Sequence, residues 1–137
     1  MNDHTISLVR ESFDLVEPIA PQAAELFYAN LFEADPVLRA LFRGDMVEQG
    51  TKLMQMIGVA VATLDTPEVL LPTLRQLGQR HAGYGVKEEH YEVVGDALLK
   101  TLQQGLGAAW TPEVETAWID VYGVLASTMK DAASVPA

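Results

Sequence analysis

The chain has no cysteine. That absence removes disulfides, thiolate-held metals such as zinc ribbons and iron–sulfur clusters, and any cysteine nucleophile. Basic residues are few as well: 9 Lys and Arg stand against 19 Asp and Glu, giving a net charge of −10. The cations are scattered rather than clustered, and a field of this sign repels phosphate backbones and anionic lipid. Nucleic-acid and membrane-surface partners are therefore disfavoured. Long apolar runs are also missing. The longest, Met56 to Leu64, falls well short of the ~20 residues that cross a bilayer, although 49% of the chain is hydrophobic. The N-terminal MNDHTISLVRES lacks a basic stretch followed by an apolar block, so no secretory leader is visible and the expected location is the cytoplasm. Internal repeats, low-complexity tracts and convincing β-strands are absent too.

What is present is helical periodicity in a chain of 137 residues, the size of one domain spanning 1–137. Folding such a chain removes roughly two-thirds of its surface from water, enough for a core with a site inside it. Ile6, Val9, Phe13 and Val16 form a first stripe behind Thr5, an expected N-cap, and Pro18 closes it. Pro21 opens a second helix with Ala24, Phe27, Tyr28 and Leu31 on one face, and Asp35-Pro36 starts a short one ending near Phe42. Arg43-Gly44-Asp45 reads as a corner. A long helix from Met46 to Leu64 carries Gln49, Leu53, Met56, Ile57 and Ala60 on one stripe, and Thr66-Pro67 breaks it. Because proline deep in a helix costs about 3 kcal/mol, the next helix is expected to start at Pro72 and run to His81. A fifth stripe runs through Tyr91, Val94, Leu98 and Leu102 to Gly105 and Gly107, and a sixth follows Thr111-Pro112 through Trp118, Val121, Leu125 and Met129. The expected class is all-α with six to eight helices, and residues 131–137 are expected to fray.

His81 ends an apolar stripe with Leu74 and Leu77. An imidazole there is either a core histidine bonded to a backbone carbonyl or a ligand to a metal or cofactor, and the stretch alone favours the first. Tyr28 lies on an otherwise apolar face, where its hydroxyl needs either a carbonyl or a ligand. Gln49, at a helix start, reads as solvent-facing when taken alone. Met54 and Met56 read as core fillers, and His4 and His90 as surface residues.

Five colinear stretches together resemble a known family. LFYANLFEADPVLRALF (26–42), EQGTKLMQ (48–55), LGQRH (77–81), HYEVVGDALL (90–99) and AWIDVYGVLA (117–126) are similar to successive helices of bacterial globins, in particular single-domain haemoglobins and the haem domain of flavohaemoglobins. The resemblance implies the globin fold around haem b, with iron bound by His81 and the other ring nitrogen of His81 held by the carbonyl of Leu77. It also implies Phe42 against the porphyrin, Leu77, Val86 and Tyr91 lining the proximal side, and Lys52 near a propionate. On the distal side it implies Tyr28, Gln49 and Leu53.

The function so implied is reversible, high-affinity oxygen binding for storage, delivery or scavenging, with carbon monoxide and nitric oxide as further ligands. The alternatives are nitric oxide dioxygenation with a separate reductase, or a haem-free globin-like sensor or interaction module. Flavohaemoglobins commonly back the proximal histidine with a tyrosine and a last-helix glutamate. Tyr91 fits the tyrosine, but Ala133 stands at the glutamate position with only Asp131 nearby. The stripes leave the assembly a monomer or a weak homodimer. Neither Tyr28 nor Gln49 titrates between pH 5 and 8, so oxygen dissociation is expected to be nearly flat there. A stopped-flow series with a steep inflection near neutrality would contradict this.

Overall fold

A computed structural model describes residues 2–42 and 44–134 of the chain. Among them run six α-helices: α1 (Asp3–Val16), α2 (Ala20–Ala34), α3 (Met46–Ala62), α4 (Pro67–Gly83), α5 (His90–Leu106) and α6 (Pro112–Ser134), with no strand. Short 3-10 turns fill Glu17–Ile19, Pro36–Leu41 and Gly107–Ala109. Of the expected corner, Arg43 lies outside the described residues; Gly44 takes a left-handed φ of 92°, and Asp45 caps α3 through Val47 N–H at 2.8 Å.

Three local readings need correction. The first helix begins at Asp3 with Asn2, not Thr5, as its cap; Asn2 Oδ1 accepts the Thr5 amide at 2.8 Å. The fourth helix begins at Pro67 and carries Pro72 inside it. Pro72 sits on the exposed face, and starting the helix early buries Leu70 along with Leu74, each 3% exposed. Burial of a leucine stabilises by about 1.5–3 kcal/mol, enough to offset much of the missing amide bond. The last helix continues through residue 134, and Ala132 is buried beside Met129, so residues 131–134 are helical; residues 135–137 lie outside the described residues.

The core joins α1, α4 and α6. Trp118, 1% exposed, donates its indole N–H to Ser12 Oγ at 2.8 Å, and Ser12 passes its own hydrogen to carbonyls of α1. Asn30 ties α2 to α5 through Thr101 and Gln104. Arg10 clips α1 to the end of α3 by bonding the carbonyls of Val61 and Ala62 and the carboxylate of Asp65, whose proton affinity it lowers.

The closest crossing places α4 on α6. A Cβ at Gly78 would stand 2.3 Å from the Met129 carbonyl oxygen, so only glycine permits this approach, one turn before His81. Gly78→Ala should destabilise the fold by about 2–3 kcal/mol, because backbone rather than a side-chain tip must yield. Urea denaturation checks this, and an unchanged midpoint would contradict the crossing.

Candidate functional site

The last turns of α4 carry His81, and its ring is fixed by the helix itself. His81 Nδ1 lies 2.8 Å from the Leu77 carbonyl. A carbonyl oxygen can only accept, so Nδ1 carries the hydrogen and Nε2 keeps its lone pair. The backbone beyond is also anchored on this residue: the His81 carbonyl accepts the amides of Tyr84 at 3.1 Å and Val86 at 3.0 Å. Gly85, with φ 91°, makes the turn that follows.

His81 lines a cavity of about 280 Å³ bounded by α3, α4, α5 and α6. Leu77, Val86 and Tyr91 lie on the same wall system, and Phe42, Gln49 and Leu53 line it as well. The structure thus gathers seven residues that the sequence had singled out. Two others lie elsewhere. Lys52 is exposed and paired with Glu48 at 3.5 Å along α3, outside the lining. Tyr28 is buried, 8% exposed, but borders a different, larger hollow of about 1100 Å³ between α1, α2 and α3. Its ring meets Phe42 edge-on at 5.3 Å, and Phe42 in turn lines the His81 cavity.

Sequence reasoning missed Tyr122 and His90. Tyr122 packs so closely on Gly95 that a Cβ there would lie 2.6 Å from its ring, and its hydroxyl donates to the Tyr91 carbonyl. This fixes the start of α5 against α6. Tyr122 lay on the buried stripe of α6, which was the available signal. His90 is half-buried on the cavity wall rather than on the surface; its only signal was adjacency to Tyr91. His4 is exposed, as expected.

Burial pushes the Tyr28 phenol up to about 12 and raises Tyr91 as well. Tyr122 is raised by burial first and then by the charges of Tyr91 and Asp96. All three are neutral hydrogen donors throughout the physiological range. Tyr91 Oη is buried without a hydrogen-bond partner among the described residues.

These features bear on the haem that the resemblance implies. No group of three His, Cys, Asp or Glu among the described residues could hold a metal ion. His81 offers one bare nitrogen only, so an iron held there must bring its other ligands in a macrocycle. The apolar wall, the bare Nε2 and the orphaned Tyr91 hydroxyl fit such a group. At about 280 Å³ the cavity lies just under the roughly 300–1,000 Å³ usual for small-molecule sites.

Fold and site together define a helical protein with the His81 imidazole presented to an apolar cavity. The Globin family model matches residues 25–129, and the chain belongs to the globin family. It is 35% identical over 135 residues to the flavohemoprotein of Xylella fastidiosa strain Temecula1, covering 96% of this chain and 34% of that protein. The chain therefore spans about a third of the length of that relative. Among solved structures, an engineered carbene transferase from Rhodothermus marinus, a candidate nitric oxide dioxygenase, superposes with a TM-score of 0.87 at 26% identity, covering 98% of this chain and 94% of that one. A hexacoordinated haem protein of an anhydrobiotic tardigrade shares the fold at TM-score 0.90 and 17% identity, covering 98% and 96% of the two chains.

The Tyr28 shift has a consequence at high pH. Folding raises this group from 10.0 to about 12, so its stabilisation is fully present below pH 10 and is lost as pH rises through about 12. Tyr28→Phe should flatten that part of the alkaline decline in unfolding midpoint. An identical decline in both proteins would contradict the burial of this phenol.

Proposed function

We propose that this protein is a haem-binding globin that takes up oxygen reversibly at a haem b held by His81. The observation that carries the reading is the Leu77–His81 hydrogen bond, which leaves Nε2 bare on the wall of an apolar cavity. When bound, haem b supplies a ferrous iron with one position open to a diatomic gas. The chain's own residues do the rest. Leu77 orients the imidazole and adds to its basicity by accepting the Nδ1 hydrogen. Phe42, Leu53 and Val86 exclude water from the cavity, and Gln49 brings an amide to the wall.

The resemblance alone assigns Tyr28 as a second distal donor; in this structure its phenol borders the hollow between α1, α2 and α3 rather than the His81 cavity. It is neutral, buried against Phe42, and its hydroxyl makes no hydrogen bond among the described residues. Oxygen gathers negative charge on binding and carbon monoxide much less, so these donors lengthen oxygen's stay selectively. Residues 1–137 are read as one globin domain, in the cytoplasm, as a monomer or weak homodimer.

A second reading is nitric oxide dioxygenation with electrons from a separate reductase. It is favoured by the kinship to a flavohemoprotein. The Tyr91 hydroxyl has no hydrogen-bond partner among the described residues, and neither reading relies on strong electron donation by His81. Nitrate formed stoichiometrically from nitric oxide by the oxygen-loaded protein, followed by fast rereduction by a reductase, would favour this reading; release of unreacted oxygen would favour storage.

Absorption spectra of the ferric, ferrous and carbonyl forms test the haem assignment. The wild type should show haem bands in all three, and His81→Gly should lose them or regain them only with added imidazole. A colourless protein after addition of haem would contradict the proposal. Tyr28→Phe and Gln49→Leu should each speed oxygen release by about tenfold, the worth of one hydrogen bond to a charged group. Carbon monoxide release should barely change; equal effects on both gases would defeat the distal assignment.

A further inference from the structure

His90 opens α5, and its ring is held by the backbone in the opposite sense to His81. Lys87 N–H donates to His90 Nδ1 at 3.0 Å, and His90 N–H donates to the Lys87 carbonyl at 3.0 Å. A ring nitrogen that accepts an amide hydrogen carries none of its own, so the neutral ring keeps its hydrogen on Nε2. No group among the described residues accepts that hydrogen. The two imidazoles of the cavity are thus locked in complementary tautomers: His81 presents a lone pair and His90 presents a donor.

Tyr84 caps the end of α4, ahead of the segment that leads to His90, and lines the same cavity, with 68% of its surface exposed. The backbone fixes it too, because Tyr84 N–H is shared between the carbonyls of Arg80 and His81. Two residues that carry an N–H and an O–H donor therefore line a cavity whose lining includes no aspartate or glutamate. In a chain with a net charge of −10, a cavity lining with donors and no carboxylate is a favourable place for an anion. Lys52, the residue the sequence offered for this role, is engaged with Glu48 away from the cavity.

We propose that His90 Nε2 and Tyr84 Oη form a carboxylate subsite that anchors an acidic side chain of the bound macrocycle, a haem propionate. The assignment rests on the haem reading above. It makes His90 and Tyr84 positioning residues that set how long the cofactor stays, with no part in holding iron.

The test is the rate of haem transfer from the loaded protein to an excess of an apo-globin acceptor, followed by absorbance. Protohaem and its dimethyl ester, which lacks free carboxylates, are compared in the wild type, Tyr84→Phe and His90→Asn. The asparagine retains an acceptor for the Lys87 amide and loses the Nε2 donor. With protohaem, His90→Asn should lose the cofactor roughly tenfold faster and Tyr84→Phe several-fold faster. With the ester, the three proteins should agree within about twofold. Equal rates with protohaem, or a difference that persists with the ester, overturns the subsite while leaving the haem reading intact. Failure of the wild type to take up either macrocycle overturns both.

Discussion

The hydrogen bond from His81 Nδ1 to the Leu77 carbonyl is the interaction on which the site depends. It converts an imidazole that could present either nitrogen into one that presents a single lone pair to an apolar cavity. The bond exists because the two residues lie one helical turn apart, and because a carbonyl has a second lone pair to give. The register of α4 then matters more than its composition. That register is set by Gly78, where the backbones of α4 and α6 come too close for any side chain. The His81 carbonyl in turn organises the next segment by accepting two amides, so cavity wall and ligand share one anchor.

Around that anchor the chain separates its tasks. Apolar residues of α3, α5 and α6 form the wall, while the hydrogen donors are few and each has a defined backbone reason for its place. Tyr122 steadies the start of α5 by bonding the Tyr91 carbonyl, and Lys87 steadies His90. The chain has no cysteine, and its described residues hold no cluster of three ligating side chains. One lone pair in an apolar cleft is useful mainly to a metal that arrives already coordinated.

Much of this was legible in the sequence because helix signals are local. The stripes through Val9 and Phe13, Leu53 and Ile57, and Val121 and Leu125, with a cap at Asp35, place five of the six helices within a few residues. The Leu77–His81 bond was implied by the resemblance, and a spacing of four permits it. What was not legible is tertiary. Pro72 argues locally against a helix, yet burial of Leu70 favours one. Ala132 is too small to mark a stripe, though it lies three residues beyond Met129 and is buried with it. Whether Tyr28 faces one hollow or the other depends on where Phe42 falls, and nothing within α2 specifies that. His90 resembled any exposed histidine at a helix start until the turn from Gly83 to Glu89 brought it to the cavity.

The tautomer of His81 tests the central claim most directly. Nitrogen-15 NMR of the haem-free protein at neutral pH reads it from the two ring nitrogens. The account requires a proton on Nδ1 and a bare Nε2 for His81, with the reverse for His90 in the same spectrum. A proton on Nε2 of His81, or rapid averaging between its two forms, would show that Leu77 does not hold the ring and would remove the physical basis for the site.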